Sequence, residues 1–121
     1  MSAGIATLNL IRGEEVWRKL EQTARRLEAG VEEAAKRAGV PIQQTRVGTM
    51  FTTFFSETKP VAWNTVKAAD KVRFGKFFQK MLANGVYLAP SQFEAGFISI
   101  VHTDEIIDKT IEAVTEAFHT W

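Results

Sequence analysis

The residues of this chain that could do chemistry are few, and most fall in one stretch, Gly85 to Thr103, GVYLAPSQFEAGFISIVHT. It holds Ser91, Gln92, Glu94 and His102. Ser91, Gln92 and Glu94 lie on a loop opened by Pro90, so that a carboxylate is held where two expected short strands meet. Taken alone, a Pro-Ser-Gln connection is ordinary turn composition, and a single glutamate is usually solvated. His102 has no Ser, Cys or second His placed to work with it, so a hydrogen-bonded structural histidine is expected there. Lys19, Lys36, Lys59, Lys67, Lys71, Lys76, Lys80 and Lys109 all fall on expected helices or a polar loop, in settings that look solvated.

Composition narrows the chemistry further. There are no cysteines and only two histidines, far apart, which excludes disulfides and thiolate metal sites and makes a His-rich metal site a poor expectation. A net charge of +1 with no dense Lys/Arg run gives no field to attract nucleic acid or an anionic membrane. No stretch approaches the roughly 18 to 20 apolar residues of a membrane span, and MSAGIATLNLIRG lacks the basic n-region of a signal peptide. At 121 residues, 45% of them apolar, the chain can bury one core and no more.

The elements that must position the Gly85 to Thr103 stretch can be read from periodicity. Ala3 to Ile11 reads as a short helix with Ile5, Leu8 and Ile11 on one face, ended by Gly13. From Glu14, the residues Leu20, Ala24, Leu27, Val31, Ala34 and Ala38 make one apolar stripe. Glu14 and Glu15 suit the start of that helix and Lys36 and Arg37 its end. Gly39, Val40 and Pro41 then form a stop signal. The outer residues Arg18, Lys19, Arg25 and Arg26 alternate with Glu21, Glu28, Glu32 and Glu33, as on a solvated face laced with ion pairs.

Ile42 to Ser56 is dense in Val, Thr and Phe and predicts strands over Gln43 to Val47 and Met50 to Phe55, with Gly48 as a bulge, a bend or a point of close backbone approach. Aromatic residues on both faces of the second strand imply cover on both sides. A polar loop follows, then a short helical piece at Thr65 to Ala69 and a helix from Asp70 to Asn84. Its apolar face is Phe74, Phe77, Phe78, Met81 and Leu82, and Gly85 ends it. Val86 to Leu88 and Phe97 to Val101 read as two more short strands, joined by the loop that Pro90 opens. Thr103 caps a last helix whose buried stripe is Ile107, Ile111, Val114 and Phe118. The expected fold is α+β, a small antiparallel sheet with helices packed on one face.

The string YLAPSQFEAGF followed by HTDEIID, with AGIATLNLIR, RVGTMFTTFF and FFQKMLANGVYL upstream in that order, resembles the C-terminal end of the glutamate-1-semialdehyde 2,1-aminomutase family of class III pyridoxal-phosphate aminotransferases. The resemblance covers nearly the whole chain. It implies the C-terminal small domain of a fold type I enzyme, with residues 1–13 as the end of the helix leaving the large cofactor-binding domain and residues 14–121 as the small domain, so that the chain is a fragment.

The resemblance further implies a homodimeric enzyme of tetrapyrrole biosynthesis that converts glutamate 1-semialdehyde to 5-aminolevulinate, in the cytoplasm or, in a plant or alga, the plastid. Pyridoxal 5'-phosphate would be bound by the full-length enzyme and not by this chain alone. The family's Schiff-base lysine, its aspartate and its phosphate-binding Gly-Thr pair all lie upstream, which leaves no catalytic, cofactor-binding or metal-binding residue here and makes this chain alone catalytically silent. Glu94 would stand beside the substrate entrance and pair with an arginine from the N-terminal segment, while Ser91 and Gln92 shape its loop.

From Met81 to Asp108 there is no Lys or Arg, which favours the aminomutase over an ω-amino-acid or ornithine-type aminotransferase with a carboxylate-binding arginine in this region. The partners implied are the large domain, a second subunit and a small-molecule substrate, with no nucleic acid and no membrane. A second alternative is a freestanding interaction domain, in which Phe51, Phe54 and Phe55 would bury a partner.

Overall fold

The computed structural model describes residues 1–119. Its elements run α1 (Ser2–Leu10), α2 (Glu14–Ala38), β1 (Gln43–Val47), β2 (Met50–Phe54), α3 (Trp63–Lys67), α4 (Lys71–Ala83), β3 (Gly96–Phe97) and α5 (Asp104–His119). The three strands form one antiparallel sheet in the order β1-β2-β3, and the helices α2, α4 and α5 enclose the core with it.

The long helices form where the stripes predict them. On α2 the buried residues are Leu20, Thr23, Ala24, Leu27, Val31, Ala34 and Ala35, and on α5 they are Ile107, Ala113, Val114, Ala117 and Phe118. Arg26 of α2 donates two bonds of 2.8 Å to the Asp108 carboxylate of α5. On α4, Phe74, Phe77 and Met81 are buried and Phe78 is half-buried, but Leu82, expected on the same face, is exposed at the rim. Both α2 and α4 stop on a glycine with positive φ, Gly39 at +67° and Gly85 at +79°. The next amide then bonds five residues back, Val40 to Ala35 at 3.0 Å and Val86 to Met81 at 2.8 Å. A left-handed residue there satisfies carbonyls the helix would otherwise leave open, and glycine adopts it without strain.

Three sequence expectations need correction. Gly48 is neither a bulge nor a bend within a strand: Val47 pairs with Met50, so Gly48 and Thr49 are the two-residue turn of a hairpin, with Gly48 at φ +58°. Val86 to Leu88 forms no strand, and Phe97 to Val101 contributes only Phe97, paired with Met50, followed by an amide bond from Ile98 to Thr49. Apolar, β-branched character marks a segment fit for a sheet, but a strand also needs a free edge beside it. Here Val86 and Leu88 pack against the core without a ladder partner.

The pleat of β2 sorts its side chains as expected. Phe51 packs on the core and Phe55 is buried in it, on the helix side. On the other face Phe54 is also buried, but the row Val47, Met50 and Phe97, neighbours by register, is exposed at 75%, 42% and 65%. Since Phe54 and Phe55 are only 7% and 2% exposed, the aromatic patch that a freestanding interaction domain would use at Phe51, Phe54 and Phe55 is already spent on the chain's own core. The helix α1 forms as expected yet buries none of its residues: Ile5, Leu8 and Leu10 all stand exposed.

Candidate functional site

The Glu94 loop is carried by the end of β2. Phe55 sits just past that strand, with its ring 5.4 Å from the Phe77 ring and 6.3 and 6.2 Å from those of Phe74 and Phe118, the tilted and edge-on contacts that aromatic clusters favour. Its backbone works in two directions. The carbonyl accepts from Asp70 N at 2.8 Å, and Asp70 in turn caps α4 by accepting from Val72 N and Arg73 N, both at 2.9 Å. The Phe55 amide donates to Gln92 Oε1 at 3.2 Å. The glutamine thus occupies the place a strand carbonyl would take, and ties the loop to the core.

Around that tie the loop makes a tight turn. Ser91 Oγ accepts from Phe93 N at 3.1 Å, and Glu94 N donates to the Ser91 carbonyl at 3.1 Å. Thr52 Oγ1 donates to the Glu94 carbonyl at 3.4 Å. Phe93 leans against Trp63 with ring centres 5.7 Å apart, and Lys71 Nζ lies 5.7 Å from the Phe93 ring centre. With backbone and neighbours held in this way, the Glu94 side chain is exposed. Among the described residues no hydrogen bond or ion pair reaches its carboxylate.

Of the expected site residues, Ser91 holds the turn through its Oγ and Glu94 is exposed. Gln92 is different: at 2% exposure it is, with Thr23, a buried polar residue among the described ones. Periodicity cannot reveal this, because a glutamine in a turn reads as solvated. Trp63 and Thr52 were not marked by the sequence either, although a tryptophan in a polar loop was the available signal. His102 takes the structural role expected of it, its Nδ1 accepting from Ser99 N at 3.0 Å while its own amide returns a 3.0 Å bond to the Ser99 carbonyl.

Behind the loop lies a cleft of about 240 Å³, walled by β2, by Val86 to Leu88, and by side chains of α2, α4 and α5. Glu94 lines it, but no lysine or arginine does. The described lysines sit on helix surfaces or in the polar loop, Lys80 half-buried and the others exposed. No group of three or more His, Asp or Glu that could hold a metal occurs among the described residues, and no described helix is long and apolar enough to cross a membrane.

Elsewhere the polar residues serve the fold. Arg46, with a side chain 14% exposed, bonds Glu28 at 2.7 Å and Glu21 at 3.0 Å, bracing β1 on α2. The hydrogen bonds from Arg46 to Glu21, with a further one from Arg25, hold the Glu21 carboxyl below its ordinary value.

No family model matches the chain. It is 45% identical over 118 residues to the glutamate-1-semialdehyde 2,1-aminomutase of Thermodesulfovibrio yellowstonii and 47% identical over 113 residues to that of Pelodictyon phaeoclathratiforme, 98% and 93% of this chain. The chain spans only 28% and 26% of those relatives' length. Among solved structures, a transaminase with PLP bound superposes over 97% of this chain with a TM-score of 0.78 at 20% identity, and 26% of that protein is covered. A glutamate-1-semialdehyde aminomutase from Pseudomonas aeruginosa superposes over 87% of this chain with a TM-score of 0.75, also at 20% identity, covering 23% of its own chain. At that identity the structural likeness speaks for the fold alone. The chain is thus similar over nearly all its length to about a quarter of a glutamate-1-semialdehyde 2,1-aminomutase, and it has the small α+β fold found within pyridoxal-phosphate aminotransferases.

Proposed function

We propose that this chain serves as the C-terminal small domain of a glutamate-1-semialdehyde 2,1-aminomutase, the enzyme that moves an amino group between neighbouring carbons of its substrate to give 5-aminolevulinate. The observation that carries this reading is the identity of 45% over 98% of the chain to a relative of that name. In this reading pyridoxal phosphate, its lysine and its phosphate-binding residues belong to a larger domain, with which residues 1–13 make the connection. Two features support such a neighbour. The row Val47, Met50 and Phe97 is a contiguous apolar strip on the open face of the sheet, and α1 is apolar yet buries nothing. Both are surfaces that water covers poorly.

Glu94 is the residue this chain would bring to the substrate entrance. Its backbone is held by Thr52 and Ser91 and its carboxylate is left available, which suits a paired contact with an arginine fork supplied from elsewhere in the enzyme. Ser91 and Gln92 hold the loop. The enzyme works as a homodimer in the cytoplasm on this reading.

The deciding measurement is the mass of the native protein, by intact mass or by immunoblot with an antibody to this domain. Expected is a species roughly three to four times as long as this chain, since the matched segment is 28% of the relative, with pyridoxal-phosphate absorbance and 5-aminolevulinate formation. In that protein Glu94→Gln lowers kcat/KM by about tenfold to a hundredfold, the size of one charge-assisted hydrogen bond. A native species of this length alone would overturn the reading.

A further inference from the structure

We propose that the cleft behind the Glu94 loop is a binding site for a small, neutral, ring-containing carbonyl compound, whose oxygen accepts from Gln92 Nε2. The argument is independent of the aminomutase reading and rests on three observations. The first is size. Protein interiors are packed like organic crystals, with few voids larger than a water, and this cleft measures about 240 Å³. One water needs roughly 10–15 Å³ on such a measure, whereas an engineered apolar cavity of about 150 Å³ holds benzene.

The second observation is an unanswered donor. Gln92 lines the cleft and is 2% exposed; its Oε1 is committed to the Phe55 amide, but its Nε2 has no hydrogen-bond partner among the described residues. Buried amide hydrogens almost always find an acceptor. The amide orientation is fixed by Phe55, because a flipped group would set two donors against each other. The guest must therefore bring an acceptor.

The third observation is the lining. Leu27, Phe77, Met81, Ile98 and Val114 supply apolar walls that suit a ring. The charged side chain among the lining residues is the Glu94 carboxylate, with no lysine or arginine to oppose it. An anion is repelled at Glu94, and a cation would shed its hydration against the apolar walls with one solvent-exposed carboxylate to answer it, so the guest is neutral. Two rings of the wall carry polar atoms, Tyr87 and His102, and the His102 Nδ1 is engaged by the Ser99 amide.

The test is an NMR titration of the 121-residue chain with cyclohexanone, following the Gln92 side-chain amide pair and the methyls of Met81 and Ile98. A saturable shift of all three groups is expected, with a dissociation constant on the order of 1 mM for so small a ligand. Levulinate, a ketone that carries a carboxylate, should leave the Gln92 pair unmoved. Two substitutions read the donor. Gln92→Leu removes it outright, and Gln92→Glu, read at a pH where its carboxyl is ionised, removes it while keeping an acceptor for the Phe55 amide, so that the loop stays tied. Each should weaken cyclohexanone about tenfold. An unmoved Gln92 pair at tens of millimolar ketone overturns the proposal, as does equal binding by the Glu variant or equal binding of levulinate. Nuclear Overhauser contacts between the ketone and Met81 in the unsubstituted chain decide the matter if neither variant folds.

Discussion

Between Glu14 and Ala83 this chain buries whole stripes of side chains, whereas between Gly85 and Thr103 it makes two residues of strand and is held by single bonds from Gln92, Thr52, Ser91 and His102. The first region distributes its stability over many small dispersion and burial terms, so it tolerates conservative change. The second buries little beyond Val86, Leu88 and Ile98 and adds a few polar contacts, each of which either forms or does not. A carboxylate that must be presented to a partner belongs in the second kind of region, because local bonds can aim a loop without burying it.

If the contrast is sound, damage to the core should be global and damage to the loop local. The largest effect is expected from Phe118→Ala. Phe118 is 2% exposed, with its ring 5.3 Å from that of Phe77 and 6.2 Å from that of Phe55, and its removal should cost about 3–5 kcal/mol in chemical denaturation. Hydrogen exchange should quicken across α2, α4 and α5 alike. A loss confined to α5 would break the comparison.

Next is Gln92→Ala, which removes the Gln92 Oε1 acceptor from the buried Phe55 amide and should cost about 1–3 kcal/mol. Here exchange should quicken chiefly from residue 90 to 98 and at Phe55, with α2 unchanged. Asp70→Ala removes the two capping bonds of α4 and should cost about 0.5–2 kcal/mol. It sharpens the comparison because Asp70 N also bonds the Phe55 carbonyl: that backbone bond survives the substitution, so the Glu94 loop should be unaffected.

The smallest effect concerns acid. The Glu21 carboxyl is depressed chiefly by its hydrogen bonds from Arg46, then by that from Arg25. A carboxyl depressed in the folded state contributes stability above its unfolded value, ordinarily 4.5, and loses it as pH falls through the lower folded value. Thermal scans below pH 4.5 should therefore fall more steeply for the unsubstituted chain than for Glu21→Gln. Identical slopes would show that the Glu21 carboxylate adds nothing to the bracing of β1 beyond what Arg46 gains from Glu28.

The same division decides what could be read from the sequence. The stripes of α2, α4 and α5 and the stops at Gly39 and Gly85 were legible, because helix burial follows from local spacing and a left-handed cap follows from one residue type. The hairpin strands were legible, but the role of Gly48 was not, since a glycine between two β-branched runs serves a bulge or a turn equally well. Val86 to Leu88 misled because pairing depends on which edge is free, and that is a property of the assembled sheet. At the site, a resemblance pointed to Glu94 and its turn. That Gln92 lies inside followed from nothing local: its acceptor meets an amide 37 residues away.

That long-range bond has a practical consequence. The Phe55 amide is covered by a side chain rather than by a strand, so it can be reached by solvent whenever Gln92 lets go, without any unfolding of β2. Its exchange rate is then a built-in clock for the detachment of the loop, readable at a single resonance in the unlabelled protein. Any ligand, partner or substitution that steadies the Glu94 loop should slow that clock while leaving the rest of the sheet to keep its own time.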